Sequence, residues 1–119
     1  MFKILVVEDN SSWADIIQRG LERGLGDKVK VLHASTIEEA ESIFHQHSDL
    51  SIVLMDACVP GERPTTLGLV RNIRETFKGP MVAMSSRPDY REQLVKAGCD
   101  HESGKDEVVK KALDLAAKM

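Results

Sequence analysis

Five residues of the chain have side chains that, if gathered together, could bind a cation and transfer a charged group. They are three carboxylates, a hydroxyl and a primary amine: Glu8, Asp9, Asp56, Ser85 and Lys105. Three carboxylates held close together repel one another unless a cation lies between them. Their hard oxygen atoms suit Mg²⁺ better than zinc or copper. A lysine and a hydroxyl beside such an ion can stabilise a phosphoryl group in transfer, with a carboxylate as nucleophile.

Short apolar runs bounded by turn residues predict the strands that would position these side chains. The four clear runs are Lys3–Val7, Val29–Leu32, Ser51–Met55 and Met81–Met84. Continuous runs of this length are typical of strands buried on both faces of a parallel sheet. We predict a fifth strand at Cys99–Ser103, although it is polar, because the alternation of strands and helices requires one there.

The segments between the strands have helical periodicity. We predict a first helix capped by Ser11 or Ser12, with a second capped by Ser35 (with Glu38) or Thr36 (with Glu39). The apolar face of the first helix contains Trp13, Ile16, Ile17, Leu21 and Leu25. Leu67, Val70, Ile73, Arg74 and Phe77 mark a third helix, Pro88 to about Ala97 a fourth, and Lys105 to Met119 a fifth.

This alternation predicts an α/β fold, a flavodoxin-like doubly wound five-stranded parallel sheet with five helices and strand order 2-1-3-4-5. We predict one domain over residues 1–119. In such sheets, ligands bind outside the carboxyl ends of the strands. Glu8 and Asp9 follow the first strand, Asp56 the third, Ser85 the fourth, and Lys105 comes after the fifth. The fold would therefore bring the five side chains to one edge of the sheet.

Composition narrows the class of protein. Apolar residues make up 42% of the 119 residues, enough for a core that needs no disulfide or metal. A net charge of −3 disfavours direct nucleic-acid binding, and no apolar run is long enough for a membrane span or shaped like a signal peptide. Cys58 and Cys99 lie far apart and are expected to be free thiols in a reducing, cytoplasmic setting.

Four segments, in this order, resemble the receiver domain of response regulators, of the chemotaxis-type single-domain kind found in two-component phosphorelays. They are Lys3–Asn10, Ile52–Asp56 followed by Pro60 and Gly61, Pro80–Ser85, and Ala97–Asp100 followed by Lys105. The resemblance spans nearly the whole chain, and its specificity comes from the order and strand context of the segments.

The resemblance implies that Asp56 accepts a phosphoryl group from a phosphohistidine on a histidine kinase or histidine phosphotransfer protein. It implies that Asp9 and Asp56 bind Mg²⁺ directly, that Glu8 helps through water, and that the backbone carbonyl of Cys58 is a further ligand. Ser85 would bind the phosphoryl oxygens and Lys105 would pair with the phosphoryl group.

The resemblance also implies output by contact with a downstream protein, whose identity the sequence does not give. The expected surface is Pro88–Ala97, Cys99–Ser103 and Asp106–Lys118, on a monomer or a phosphorylation-dependent dimer. Such a protein would catalyse at most its own phosphorylation and slow dephosphorylation.

Two positions depart from the pattern of that family. Asp106 stands where a proline usually follows the lysine, and Glu102 stands where an aromatic residue usually couples the site to the output surface. These departures favour an alternative hypothesis, a pseudo-receiver that uses the same fold for binding without being phosphorylated. Cys58 and Arg87 occupy positions at which the family varies and tunes dephosphorylation.

Other functions fit the sequence less well. An aspartyl-phosphate phosphatase would need a carboxylate two positions after its nucleophile, where this chain has Cys58. The segment Gly98–Asp106 has one residue too many for a phosphate-binding P-loop. His45 and His47 with Asp49 more readily form a solvated helix end than a metal site.

Cys58 has no histidine placed beside it by sequence, so it is better interpreted as a structural thiol or a redox-sensitive bystander than as a nucleophile. Trp13 closely follows Asp9, and we expect it to be partly exposed near the site.

Overall fold

A five-stranded parallel sheet forms the centre of the protein. The computed structural model describes residues 1–60 and 63–119, so Gly61 of the expected Pro60–Gly61 turn lies outside the described residues. The strands are β1 (Phe2–Val7), β2 (Val29–Ala34), β3 (Ile52–Asp56), β4 (Met81–Met84) and β5 (His101–Ser103). Their order in the sheet is β2-β1-β3-β4-β5, which confirms the predicted doubly wound fold.

Helices cover both faces of the sheet because the side chains of each buried strand alternate between two apolar layers. The helices are α1 (Ser11–Leu25), α2 (Ile37–Gln46), α3 (Leu67–Arg74), α4 (Pro88–Ala97) and α5 (Val108–Ala117), with a short 3₁₀ turn at Gly26–Lys28. Leu5 and Val7 of β1 pack into the layer that contains α2, α3 and α4. Ile4 and Val6 pack into the layer that contains α1 and α5.

The prediction that Ser11 or Ser12 caps the first helix is wrong. Asn10 is the cap: its backbone is extended and its side-chain Oδ1 accepts a hydrogen bond from the backbone N–H of Trp13. Asn10 takes this position because an asparagine amide caps a helix as well as a serine hydroxyl does. Ile16, expected on the buried face, is 54% exposed, while Ile17 and Leu21 are fully buried.

The second helix begins as one of the two overlapping motifs predicts. The hydroxyl of Thr36 accepts a hydrogen bond from the backbone N–H of Glu39, whereas Ser35 bonds only the Glu39 side chain. Phe77 is buried in the core but lies three residues beyond the end of α3.

The fifth strand and fifth helix are both shorter than predicted. β5 begins at His101, because Asp100 precedes it and accepts a hydrogen bond from the backbone N–H of Met81. α5 begins at Val108, because residues 105–107 form a turn that places Lys105 at the edge of the sheet.

Two glycines set the distance between α1 and α5. A Cβ atom at Gly20 would lie 2.9 Å from Val109, and one at Gly24 would lie 2.6 Å from Leu113. Any larger residue would push the two helices apart or force these side chains to shift. Within the described residues, no helix combines the length and the apolar character needed to cross a bilayer.

Candidate functional site

A cavity of about 750 Å³ opens at the carboxyl edge of the sheet. The residues that line it are Asp9, Asn10, Asp56, Cys58, Arg63, Ser85, Ser86, Arg87, Tyr90 and Lys105. The structure therefore places all the predicted site residues around this cavity except Glu8, which is fully buried beside it.

The three carboxylates meet because β1 and β3 are adjacent and in register. Val7 pairs with Met55, so the next residues along the two strands, Glu8 and Asp56, are neighbours. One carboxylate oxygen from each of Glu8, Asp9 and Asp56 lies within 4.8 Å of the others. Glu8 and Asp56 are buried, while Asp9 is exposed to the cavity. This spacing is short enough for all three to contact one ion or its bound water.

Lys105 lies against the two buried carboxylates. Its Nζ atom is 2.8 Å from Oε1 of Glu8 and 3.3 Å from Oδ2 of Asp56. Burial lowers the pKa of the Lys105 ammonium, but the two carboxylates outweigh burial and raise that pKa above its ordinary value. The lysine therefore stays charged, and one ammonium is shared between two acids.

The ionised form of the Asp56 carboxyl group is disfavoured in this cluster. Burial raises the pKa of its carboxyl group to about 7, and Glu8 adds to the shift while Lys105 opposes it. The backbone N–H of Cys58 donates to Oδ1 of Asp56 at 3.3 Å. One ammonium and one amide therefore compensate the Asp56 charge only in part, which is the electrostatic condition that a divalent cation would relieve.

The donor set fits Mg²⁺. Hard carboxylate oxygens and an open cavity with room for metal-bound water are features of magnesium sites. Oε1 of Glu8 lies 2.8 Å from the ammonium of Lys105, but it accepts no well-aligned hydrogen bond from the described residues. A buried acceptor in this state can accept a hydrogen bond from a metal-bound water.

Ser85 lies across the cavity at the end of β4. Its side-chain Oγ accepts a hydrogen bond from the backbone N–H of Arg87 at 3.1 Å. Its backbone carbonyl accepts a hydrogen bond from Nη1 of Arg91, on α4, at 2.9 Å. Arg91 in turn forms an ion pair with Glu102. Ser85 is thus held at its carbonyl by a residue that lies outside the cavity.

Two residues that the sequence did not single out support this arrangement. Thr66 is fully buried, and its hydroxyl donates to the backbone carbonyl of Asp56 at 2.8 Å, which anchors the end of β3. Thr66 directly precedes α3. A threonine immediately before a predicted helix was the one sequence feature that could have pointed to it. Arg91 follows Arg87 by one helical turn and precedes the buried Leu94, a spacing that places it on the inner side of α4.

The mouth of the cavity is basic and aromatic. Arg87 makes two hydrogen bonds to the carboxylate of Asp89, at 3.1 and 2.9 Å, and its guanidinium lies 4.5 Å from the ring centroid of Tyr90. Cys58 is half-buried in the wall, and burial followed by the Asp56 charge raises the pKa of its thiol. A thiol with a raised pKa is a poor nucleophile. Both Cys58 and Cys99 are free thiols.

The structure separates the other candidate residues from the cavity. Over the described part of the chain, only Glu8, Asp9 and Asp56 form a group able to hold a metal ion, so His45 and His47 do not. Asp49 forms an ion pair with Lys3. The segment Gly98–Asp106 contains β5, so it is not a continuous phosphate-binding loop. Trp13 is half-buried, which agrees with its predicted partial exposure, but it is not among the residues that line the cavity.

The chain is similar to one curated protein in sequence and to solved structures in fold. No family model matches the chain. A curated relative, a glycerol metabolism activator from Pseudomonas putida, is 30% identical over 90 residues, which are 75% of this chain and 39% of that protein. The chain therefore spans well under half the length of the curated relative it matches.

Solved structures match along the whole chain. The signal receiver domain of a DNA-binding response regulator protein from Colwellia psychrerythraea 34H has a TM-score of 0.81 at 21% identity, and the match covers 100% of both chains. A response regulator protein from Burkholderia pseudomallei, solved with a phosphorylated aspartic acid, a calcium ion and citrate, has a TM-score of 0.79 at 21% identity; the match covers 97% of this chain and 66% of that one. A Francisella response regulator receiver domain has a TM-score of 0.78 at 18% identity, with 99% and 98% covered.

Proposed function

We propose that this chain, which has the fold of response regulator receiver domains, accepts a phosphoryl group on Asp56 in a Mg²⁺-dependent reaction. The donor would be a phosphohistidine on a histidine kinase or histidine phosphotransfer protein, and the output would be contact with a downstream protein. The observation that carries the proposal is the buried Asp56 carboxylate, which lies within 4.8 Å of carboxylate oxygens of Glu8 and Asp9. The same carboxylate contacts Lys105 and shares one cavity with Ser85.

Asp56 is the nucleophile of this reaction. An oxygen of its ionised carboxylate attacks the phosphorus atom, the phosphorus–nitrogen bond to the donor imidazole breaks, and a carbon–oxygen–phosphorus acyl phosphate forms. The electron pair of the broken bond returns to the imidazole. Lys105, 3.3 Å from Oδ2 of Asp56, favours the ionised form that the attack requires.

The acidic residues would hold the metal. Asp9 and Asp56 would ligate Mg²⁺ directly with the backbone carbonyl of Cys58, and Glu8 would act through water. When bound, the ion neutralises negative charge that gathers on the phosphoryl oxygens.

Lys105 and Ser85 would hold the phosphoryl group from two sides. Lys105 would pair with one of its oxygens, because Asp56 loses its negative charge when its oxygen bonds to phosphorus. The Ser85 hydroxyl already accepts from Arg87, and its own O–H has no acceptor among the described residues, so it can donate to a phosphoryl oxygen. The phosphorylated aspartic acid in the Burkholderia pseudomallei structure supports this chemistry for the shared fold.

Intact-mass measurement after incubation with acetyl phosphate and Mg²⁺ tests the proposal. We expect a single phosphoryl adduct in the wild-type chain, no adduct without Mg²⁺, and none in Asp56→Asn. Hydroxylamine should remove the adduct, because it cleaves acyl phosphates and leaves serine phosphates intact. Asp15→Asn is the matched control, since Asp15 is an exposed acid paired with Arg19 on α1.

An adduct that persists in Asp56→Asn would contradict the assignment of the nucleophile. Absence of both an adduct and Mg²⁺ binding would instead support the pseudo-receiver, the alternative that Glu102 and Asp106 favour.

A further inference from the structure

A second cavity lies at the amino edge of the sheet, at the opposite end of the strands from the cavity around Asp56. It is formed where α2 and α3 end and where β3 and β4 begin, and its volume is about 450 Å³. Cavities of this size are typical of sites for small ligands. We call it the amino-edge cavity, and its wall includes Phe44, His45, His47, Phe77, Lys78 and Gly79.

Two phenylalanines give the amino-edge cavity an aromatic wall. The ring centroids of Phe44 and Phe77 are 6.4 Å apart, and the rings are nearly perpendicular, at 89°. Phe77 is buried, and the guanidinium of Arg74 lies 5.8 Å from its ring centroid. A Cβ atom at Gly79 would lie 2.7 Å from Cζ of Phe77, so the glycine leaves room for the ring. The wall therefore offers a planar apolar ligand a contact surface that the core holds in place.

The ionisable side chains that line the amino-edge cavity are basic. His45, His47 and Lys78 line it, and within the described part of the chain no aspartate or glutamate does. Among the same residues, the Lys78 ammonium has no ion pair and no hydrogen bond. Asp49 follows His47 by two residues, but its carboxylate pairs with Lys3 at 2.8 Å and does not line the cavity. The positive charge of this wall is thus available to a bound anion.

Acidic side chains lie in an adjoining cavity instead. That cavity has a volume of about 260 Å³, shares Phe44 and His45 with the amino-edge cavity, and contains Glu41 and Glu75. Lys78 lines only the first of the two. Because like charges repel and opposite charges attract, an anion with an apolar body is favoured in the amino-edge cavity and disfavoured in its neighbour.

We propose that the amino-edge cavity binds a small aromatic carboxylate. The ring of the ligand packs against Phe44 and Phe77, and its carboxylate pairs with the ammonium of Lys78. The imidazoles of His45 and His47 supply further N–H donors. This binding is independent of the reaction proposed for Asp56, because the two cavities share no lining residue.

Amide NMR of the full chain, titrated with three probes of similar shape, tests the proposal. The probes are benzoate, benzamide and benzylamine, whose substituents are negative, neutral and positive on the same ring. We expect benzoate to shift the amides of Ser48 and Gly79, in the cavity wall, with a dissociation constant on the order of 1 mM. Benzamide should bind about threefold more weakly, and benzylamine should shift these two amides least.

Two variants separate the contribution of the charge from that of the ring. Lys78→Gln should weaken benzoate binding by about threefold and leave benzamide binding unchanged, because only the charge is lost. Phe44→Leu should weaken the binding of both probes by about threefold, because the aromatic contact is lost. Lys96→Gln is the matched control, since Lys96 is an exposed lysine paired with Glu92 on α4. It should leave the affinity for every probe unchanged.

Equal affinity for benzoate and benzamide in the wild-type chain would overturn the proposal. Unchanged benzoate affinity in Lys78→Gln or in Phe44→Leu would also overturn it, and so would the absence of any shift with benzoate. Benzoate shifts confined to the amides of Asn10 and Cys58 would place the anion in the other cavity, with the same consequence. Each of these results leaves the function proposed for Asp56 standing, because that function is tested by the Mg²⁺-dependent adduct.

Discussion

Two clusters of charged residues lie at opposite edges of the sheet, and they differ in how completely their charges are compensated by neighbouring groups. At the amino edge, Arg74 donates to the backbone carbonyls of Gly98, Phe77 and Gly79 at 2.8–2.9 Å, and to Asp100 at 3.2 Å. Asp100 also accepts from the backbone N–H of Met81. At the carboxyl edge, Lys105 faces the buried acids Glu8 and Asp56, and Asp9 lies close by.

The difference separates structure from function. Around Arg74, cation and acceptors match, and the cluster ties α3, β4 and β5 together. Around Lys105, one ammonium faces two buried carboxylates, those of Glu8 and Asp56, at the place where a cation and a phosphoryl group would bind. A cluster whose charges are compensated stabilises the fold, whereas a cluster with uncompensated charge favours the binding of a ligand that compensates it.

Removal of Arg74 should have the largest effect on stability. Arg74→Ala leaves three backbone carbonyls without their charged donor, and we expect the free energy of unfolding to fall by about 2–4 kcal/mol. Urea denaturation monitored by circular dichroism measures this loss. Mg²⁺ affinity should remain that of the wild-type chain, and the exposed variant Arg19→Ala should show no measurable change. A stability loss no greater than that of Arg19→Ala would show that the two clusters do not differ as described.

Removal of the Asp56 charge should raise the free energy of unfolding, whereas removal of Arg74 should lower it. The pKa of Asp56 is raised to about 7 in the fold and is near 4 in an unfolded chain. Between these values the native state binds more protons, so its stability falls as the pH rises from about 4 to about 7. Asp56→Asn lacks this loss, and we expect it to exceed the wild-type chain by about 1–3 kcal/mol at pH 8 without Mg²⁺.

Urea denaturation across pH checks this sign. The advantage of Asp56→Asn should shrink as the pH falls and disappear below about pH 4. Asp15→Asn, an exposed acid on α1, is the control and should run parallel to the wild-type chain. An Asp56→Asn chain that is less stable at pH 8 would mean that the cluster is satisfied without a cation.

Addition of Mg²⁺ should compensate the carboxylate charge around Lys105 and so stabilise the folded chain. At ten times its dissociation constant, we expect Mg²⁺ to raise the wild-type free energy of unfolding by about 1.4 kcal/mol at pH 7.5. Glu8→Gln removes one buried acid and should weaken Mg²⁺ binding by about tenfold. Isothermal titration calorimetry gives both affinities. Equal affinity in Glu8→Gln would remove Glu8 from the proposed metal site.

An exposed pair at the cavity mouth should have the smallest effect. Arg87 and Asp89 are 60% and 56% exposed, so solvent screens their interaction. We expect Asp89→Asn to leave the urea midpoint and the Mg²⁺ affinity unchanged. A shift in either would place Asp89 in one of the two clusters.

The fold and the position of the site could be predicted because both depend on apolar runs and on the polar residues at their carboxyl ends. The run Ile52–Asp56 is fully buried as a strand, and its last residue faces the cavity. Helix starts were less predictable, because Asn10, Ser11 and Ser12 are all competent caps and only the local backbone selects among them. The polar β5 could be predicted only from the alternation of strands and helices.

The contacts of Arg74 and Arg91 could not be predicted from the sequence. Arg74 donates mainly to backbone carbonyls, and Arg91 donates to the carbonyl of Ser85. Every residue has a carbonyl, so residue type gives no sign of these partners. The raised pKa of Asp56 likewise depends on burial and on the distance to Glu8, which only the folded chain defines.

The close approach of α1 and α5 at Gly20 and Gly24 has a mechanical consequence. Val109 and Leu113 fill the space that a side chain at these glycines would need, so the two helices share one interlocked seam. A partner that tilts α5 must carry α1 with it, and α1 begins at Asn10, whose N–H holds Glu8. A displacement of α5 against this seam would therefore be expected to reach Glu8 through α1 and Asn10.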